Sequence, residues 1–167
     1  GYEHYEISNW AMEGYQSQHN LRYWTNQNYL GAGPGAHSYL NGERFSNLKS
    51  PRDYINLMHG LDSESNWFDK KASFHPTDLP VVETVEKIDR ELEIAETLMM
   101  VLRLSDGIKI SDFEDRFGIT PEEIYKDTIT ELLSNKLIER NQTSIKLTHR
   151  GRLLGNEVFS RFLEPLL

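Results

Sequence analysis

The densest chemistry in this sequence is the run His19-Asn-Leu-Arg-Tyr-Trp24, where an imidazole stands close to two aromatic rings, an amide and a guanidinium. A neutral imidazole is a standard axial ligand for haem iron. Tyr23 and Trp24 suit a flat aromatic ligand, and Asn20 and Arg22 suit its anionic edges. The plainer alternative is a histidine that is hydrogen-bonded within the fold. An exposed loop is the expected setting, since a loop offers a ligand more easily than a core does.

A second candidate is Gly31-Ala-Gly-Pro-Gly-Ala-His37. It is neither a G-x-G-x-x-G opening a helix nor a phosphate loop ending in Gly-Lys-Ser/Thr, so nucleotide binding is a weak reading. Gly31, Gly33 and Gly35 fit better as a place where backbone approaches another surface closely, with a ligand as one such surface. His37 then stands as a proton donor or as an internal hydrogen-bonding residue. His4, His59, His75 and His149 lack metal-type spacing and are expected to be structural or solvated. Glu122-Glu123 belongs to a helix first turn, where the dipole explains it.

These residues need elements to hold them. Tyr2 to Ile7 alternates as a strand, and a second extended run centres on Tyr29-Leu30. Asn41-Gly42 signals a hairpin, and Ser50-Pro51-Arg52-Asp53 opens a helix with Tyr54, Leu57, Met58 and Leu61 on one face. Residues 62–80 read as a linker or long loop holding a lone Trp67-Phe68. From about 84, Val85, Ile88, Leu92, Ala95, Leu98, Met99 and Leu102 predict one helical stripe. Ser111–Glu114 predicts a capping box on a short helix closed by Gly118, and Thr120-Pro-Glu-Glu123 predicts another. Strands at Leu137–Arg140 and Ser144–Thr148 precede a last helix carrying Leu153, Leu154, Val158, Phe159 and Phe162. Helix, short helix, helix, hairpin, helix is the order of a winged helix-turn-helix.

Bulk composition removes several classes. With 167 residues the chain can bury a core, and with no cysteine it can ligate no iron–sulfur cluster itself. No run approaches the roughly 18 apolar residues of a membrane span, and no signal peptide opens the chain, so it reads as cytoplasmic. A net charge of -8 argues against a nucleic-acid footprint. The recognition-helix position is acidic, with Glu122, Glu123, Asp127 and Glu131 against Lys126 and Lys136. A winged helix used for packing is therefore expected rather than a DNA-binding regulator. The chain opens on Gly1 and enters dense sequence at once, as a cut through a larger protein would.

Three motifs in order, Tyr5-Glu-Ile-Ser-Asn-Trp-Ala11, His19-Asn-Leu-Arg-Tyr-Trp24 and Gly31-x-Gly-Pro-Gly-Ala-His-Ser-Tyr39, resemble the HemW-type haem-chaperone branch of the oxygen-independent coproporphyrinogen III oxidase-like radical-SAM family. Leu102-Arg-Leu104, Asp106-Gly107 and Leu147-Thr-x-x-Gly151 resemble the family's C-terminal helical domain. The resemblance implies an α+β chain: residues 1–61 end a partial (β/α) radical-SAM barrel with extended strands, 62–83 link, and 84–167 form a winged-helix-like domain. It implies a missing N-terminal radical-SAM domain whose three-cysteine loop holds a 4Fe–4S cluster and S-adenosylmethionine. It assigns haem binding to His19, as iron ligand, with Tyr23 and Trp24 beside it. Ala11 resembles an S-adenosylmethionine contact of the oxidase branch, and Gly31, Gly33, Gly35 and His37 remain a ligand-facing loop. Implied partners are haem or porphyrin and a haem-acceptor protein. No catalytic residue is expected in this chain. The competing enzyme reading, oxidative decarboxylation of coproporphyrinogen III, is disfavoured by the His19–Trp24 motif.

Overall fold

Short alternating and periodic runs become short elements. In the computed structural model, which describes residues 1–59, 75 and 78–163, the chain starts with β1 (Glu3–Glu6), β2 (Asn9–Ala11), α1 (Gln18–Trp24), β3 (His37–Leu40), β4 (Glu43–Asn47) and α2 (Pro51–His59). It continues with β5 (Val82–Lys87), α3 (Arg90–Val101), β6 (Ile108–Lys109), α4 (Ile110–Phe117), α5 (Pro121–Ile124) and α6 (Lys126–Ser134). Strands β7 (Ile138–Arg140) and β8 (Ser144–Leu147) precede α7 (His149–Leu153) and α8 (Gly155–Leu163). The content is mixed helix and strand, and the described strands form sheets of two, three and three strands with no closed barrel.

Two compact units result, one of residues 28–89 and one joining 1–27 to 90–167. In the first, β3, β4 and β5 form an antiparallel sheet in that order. The turn joining β3 to β4 is Asn41-Gly42, with φ of 52° and 80°. These are the positive angles a two-residue type I′ turn requires, which is why Asn-Gly stands there. Phe45 pairs with Ser38 on one side and Val85 on the other, and is buried. Helix α2 starts where Ser50-Pro51 predicts, and the Ser50 hydroxyl accepts from the Asp53 amide at 3.3 Å. Of its expected apolar face, Leu57 and Met58 are exposed, and Leu61 lies outside the described residues.

In the second unit β1 and β2 make a hairpin tied to the turn after α3. The Ile7 amide donates to the Arg103 carbonyl and the Ser105 amide to the Tyr5 carbonyl, both at 3.0 Å. The core gathers α3, α4, α6, α8 and the β6-β8-β7 sheet. Leu98, Leu102 and Val158 have lost all exposure, and burying each stabilises by about 1.5–3 kcal/mol. Gly151 is demanded by packing, because a Cβ there would lie 1.8 Å from the Leu137 carbonyl oxygen.

Several expectations need correction. Val85 and Ile88 are not on the helix: residues 82–87 form β5, and α3 begins only at Arg90. Val-Glu-Thr-Val has β-branched residues that suit a strand, and β4 offers the edge it pairs with. Ser111 caps nothing. The helix starts a residue earlier, where the Ile110 amide donates to the Thr143 carbonyl at 2.9 Å and the Ser111 hydroxyl turns to Asp112. Gly118 does close α4, in the left-handed region at φ 68°. The Thr120 capping box forms, but its helix breaks at Tyr125, a buried residue whose hydroxyl donates to the Phe162 carbonyl at 3.0 Å. The last helix is likewise broken, at Leu154, which turns Leu153 outward to 75% exposure. Most of the 62–80 segment, including Trp67-Phe68, lies outside the described residues.

Candidate functional site

Helix α1 has seven residues and buries none of them. A helix so short is not stable by its own hydrogen bonds, so its ends must be held. At the start, Ser17 is extended and its hydroxyl accepts from the Asn20 amide at 3.3 Å. At the end, the Thr25 hydroxyl donates to the Leu21 carbonyl at 2.7 Å, and Asn26 leaves the helix at φ 48°. His19 thus sits on a helix and not on the expected loop.

The helical spacing places His19 one turn from Tyr23, as side chains four apart share a face. Their rings meet edge to face, with centroids 4.9 Å apart at 88°. His19 is exposed, and its ring nitrogens carry no hydrogen bond among the described residues. Trp24 is half-buried. The Arg103 guanidinium lies 5.3 Å from its ring centroid and 4.6 Å from that of Phe159, a cation between two aromatic faces. The Trp24 indole Nε1 is buried with no partner among the described residues. Such an orphaned donor costs about 1–3 kcal/mol. Arg22 is spent locally, donating to the Gln27 side chain at 3.1 Å.

The glycine run is used up internally. Gly31 donates its amide to the Ser38 hydroxyl at 2.9 Å, Gly33 to the Tyr54 hydroxyl at 3.3 Å, and Gly35 to the Leu48 carbonyl at 2.8 Å. The buried Asn47 amide donates to the Gly33 carbonyl at 2.9 Å. A Cβ on Gly31 would sit 2.2 Å from the His37 carbonyl oxygen, so close backbone approach is what that glycine serves. These three amides are not available to a phosphate. His37 is exposed at the start of β3. Ala11 is buried at the end of β2, opposite Glu3.

The other imidazoles behave as spacing implies. His4 stacks on Trp10 at 4.2 Å, donates from Nε2 to the Ile7 carbonyl at 2.9 Å, and receives Arg152 at Nδ1 at 3.1 Å. His75 meets Glu43 at 3.1 Å, and His59 and His149 are exposed. No cluster of three ligand-type side chains occurs among the described residues. A single imidazole suits haem, whose porphyrin supplies the other donors. With no cysteine, these residues do not fit a 4Fe–4S cluster. Cations around the β7–β8 turn are paired, Arg140 with Glu122 at 3.0 Å and Lys146 with Glu139 at 3.2 Å, which weakens a phosphate-binding surface further. A cavity of about 290 Å³ lies at the other end of α1, lined by Thr25, Thr97, Phe113 and Arg116 among others. His19, Tyr23 and Trp24 are not part of it.

Among the buried polar groups that sequence reasoning missed are Glu6 and Asn26. Glu6 is 1% exposed, with one carboxylate oxygen receiving the Asn9 amide and the other without a partner among the described residues. Asn26 donates to the Thr97 hydroxyl at 3.0 Å across 71 positions, a contact that no local pattern announces.

Residues 88–154 match the family model described as the HemN C-terminal domain. The chain is 36% identical over 163 residues to a protein of Lactococcus lactis named heme chaperone HemW, covering 98% of this chain and 38% of that one. It is 34% identical over 166 residues to the heme chaperone HemW of Bacillus subtilis, covering 99% and 39%. A solved structure of coproporphyrinogen III oxidase (HemN) from Escherichia coli, described as a radical SAM enzyme, superposes with a TM-score of 0.64 at 15% identity, over 97% of this chain and 37% of that chain. The last likeness is one of fold. The chain spans under two fifths of the length of these two curated relatives, and the resemblance carried by its motifs is borne out along nearly all of it.

Proposed function

From a chain similar along nearly its whole length to proteins named heme chaperone HemW, we propose that it is the haem-facing portion of a longer radical-SAM haem chaperone. The observation that carries this is His19: an exposed imidazole whose ring nitrogens have no hydrogen bond among the described residues, held edge-on by Tyr23 within the motif of the resemblance. His19 supplies an axial nitrogen to haem iron with Tyr23 beside the porphyrin, while Trp24, five positions along and packed against Arg103, secures the helix behind them. Haem here is cargo, passed to an acceptor protein. The 4Fe–4S cluster and S-adenosylmethionine belong to the N-terminal radical-SAM domain, and Ala11 is the position that resembles an S-adenosylmethionine contact of the oxidase branch. Gly31, Gly33 and Gly35 shape their own loop through the backbone, and the exposed His37 is the side chain that this loop offers a ligand.

In the same reading residues 1–61 end the partial barrel, 62–83 connect, and 84–167 are a winged-helix-like packing domain. The order α3, β6, α4, α6, β7, β8 with a β6-β8-β7 sheet supports the winged helix. No described helix is long and apolar enough to cross a membrane, and the protein is assigned to the cytoplasm. A haem titration of the full-length protein and a His19→Ala variant, followed at the Soret band, tests the ligand. Binding in the variant should weaken and its spectrum shift; an unchanged titration sinks the assignment.

A further inference from the structure

Helix α1 is too short to hold its own shape, yet His19 can serve as a ligand only if the helix is fixed. Three contacts fix it, all from α3, α4 and the turn after α3. Arg116 of α4 donates to the carbonyls of Thr25 at 3.1 Å and Asn26 at 2.9 Å, immediately beyond the C-terminal end of α1. The same guanidinium is steered by Glu93 of α3 at 2.6 Å. Asn26, buried and at φ 48°, donates to Thr97, whose hydroxyl donates to the Glu93 carbonyl at 2.6 Å. Arg103 lies over the Trp24 ring.

We propose that Arg116, with Glu93 and Asn26, is a clamp that positions the His19 imidazole for iron. The chemistry suits the task. A planar guanidinium satisfies the carbonyl of the C-cap residue Thr25 and that of Asn26 just past it at once, beside the partial negative charge of the helix end. Lysine, a point donor on a flexible stem, cannot bridge two carbonyls and a carboxylate with one fixed geometry. Asn26 ends the helix and Thr97 holds that end, so the register of His19 and Tyr23 is set from behind. Arg116 does not touch the ligand; it is a positioning residue, as outer-shell partners of metal ligands commonly are.

The proposal rests on the ligand reading of His19, so the test separates the two. Haem titrations of the full-length protein compare Arg116→Met, Asn26→Gly, His19→Ala and the double variant Arg116→Met/His19→Ala. Asn26→Gly tolerates the positive φ but removes the amide, which keeps the clamp testable should Arg116→Met fold poorly. The clamp predicts that each single change at 116 or 26 weakens haem binding about 10- to 100-fold and shifts the Soret maximum in protein that remains folded. In the His19→Ala background, Arg116→Met should change nothing further, an effect a merely structural residue would not show. If His19→Ala weakens binding but the variants at 116 and 26 do not, the clamp is wrong and the ligand stands. An additive loss in the double variant also overturns the clamp. If His19→Ala binds haem like the parent, the ligand reading fails and takes the clamp with it.

Discussion

The glycine run and helix α1 look alike in the sequence, since each sets a histidine among residues that could face a ligand, but the structure uses them in opposite ways. Around Gly31–Gly35 the backbone donors of all three glycines are consumed by Ser38, Tyr54 and Leu48, and Asn47 seals the loop from behind. On α1 the backbone is secured from behind while the His19 ring nitrogens have no hydrogen bond among the described residues. A segment whose polar groups are satisfied by its own fold is built to hold shape. His19 and His37 are both exposed, but of the two only His19 is held by a ring among the described residues, and a side chain so oriented at the surface is built to meet something else. The contrast is energetic, because leaving polar groups unpaired is tolerated at a surface and costly in a core.

Substitutions can break that contrast, and they rank by expected size. Gly31→Ala should be the worst, because its methyl would collide with the His37 carbonyl 2.2 Å away. It should cost about 3 kcal/mol, read as a fall in the urea midpoint with an unchanged slope. Asn47→Ala removes the buried donor to the Gly33 carbonyl and should cost about 1–3 kcal/mol in the same measurement. His19→Ala should move stability by no more than about 0.5 kcal/mol, as for other exposed residues. A loss as large as that of Asn47→Ala would mean that His19 is structural and would erase the distinction between the regions.

The smallest effect is a control remote from both histidines. Glu123 accepts the Thr120 backbone amide and hydroxyl at 2.7 and 2.8 Å, and these hydrogen bonds hold its carboxyl below the ordinary carboxylate range. Its contribution to stability is therefore complete above the unfolded carboxylate pKa and is lost as pH falls through the lowered folded value. Glu123→Gln should flatten the acid side of the stability profile slightly and leave the neutral region nearly alone. A change centred near neutrality would contradict the capping box.

What could be read ahead of the fold was local. Asn41-Gly42, Ser50-Pro51, Thr120-Pro-Glu-Glu123 and Gly118 each encode their own backbone geometry, and each formed as expected. What failed depended on distant partners. Residues 82–87 became a strand because β4 was there to pair with. The helix broken at Tyr125 ends on a residue whose hydroxyl meets a carbonyl 37 positions away. The candidate site divides the same way. His19, Tyr23 and Trp24 stand out by type and spacing. The contacts of Arg116 with Thr25 and Asn26 span 91 and 90 positions and leave no mark on local pattern. His19 was expected on a loop for the same reason, since a helix of seven residues exists only through its anchors.

The most direct test of the haem-ligand role is chemical rescue. His19→Gly in the full-length protein removes the imidazole, and free imidazole is then added to the haem-loaded variant. If His19 is the axial ligand, the variant's Soret and visible bands should depart from those of the parent and return toward them as imidazole fills the vacated position. A His19→Gly protein whose haem spectrum already matches the parent's, with no response to imidazole, would contradict the assignment.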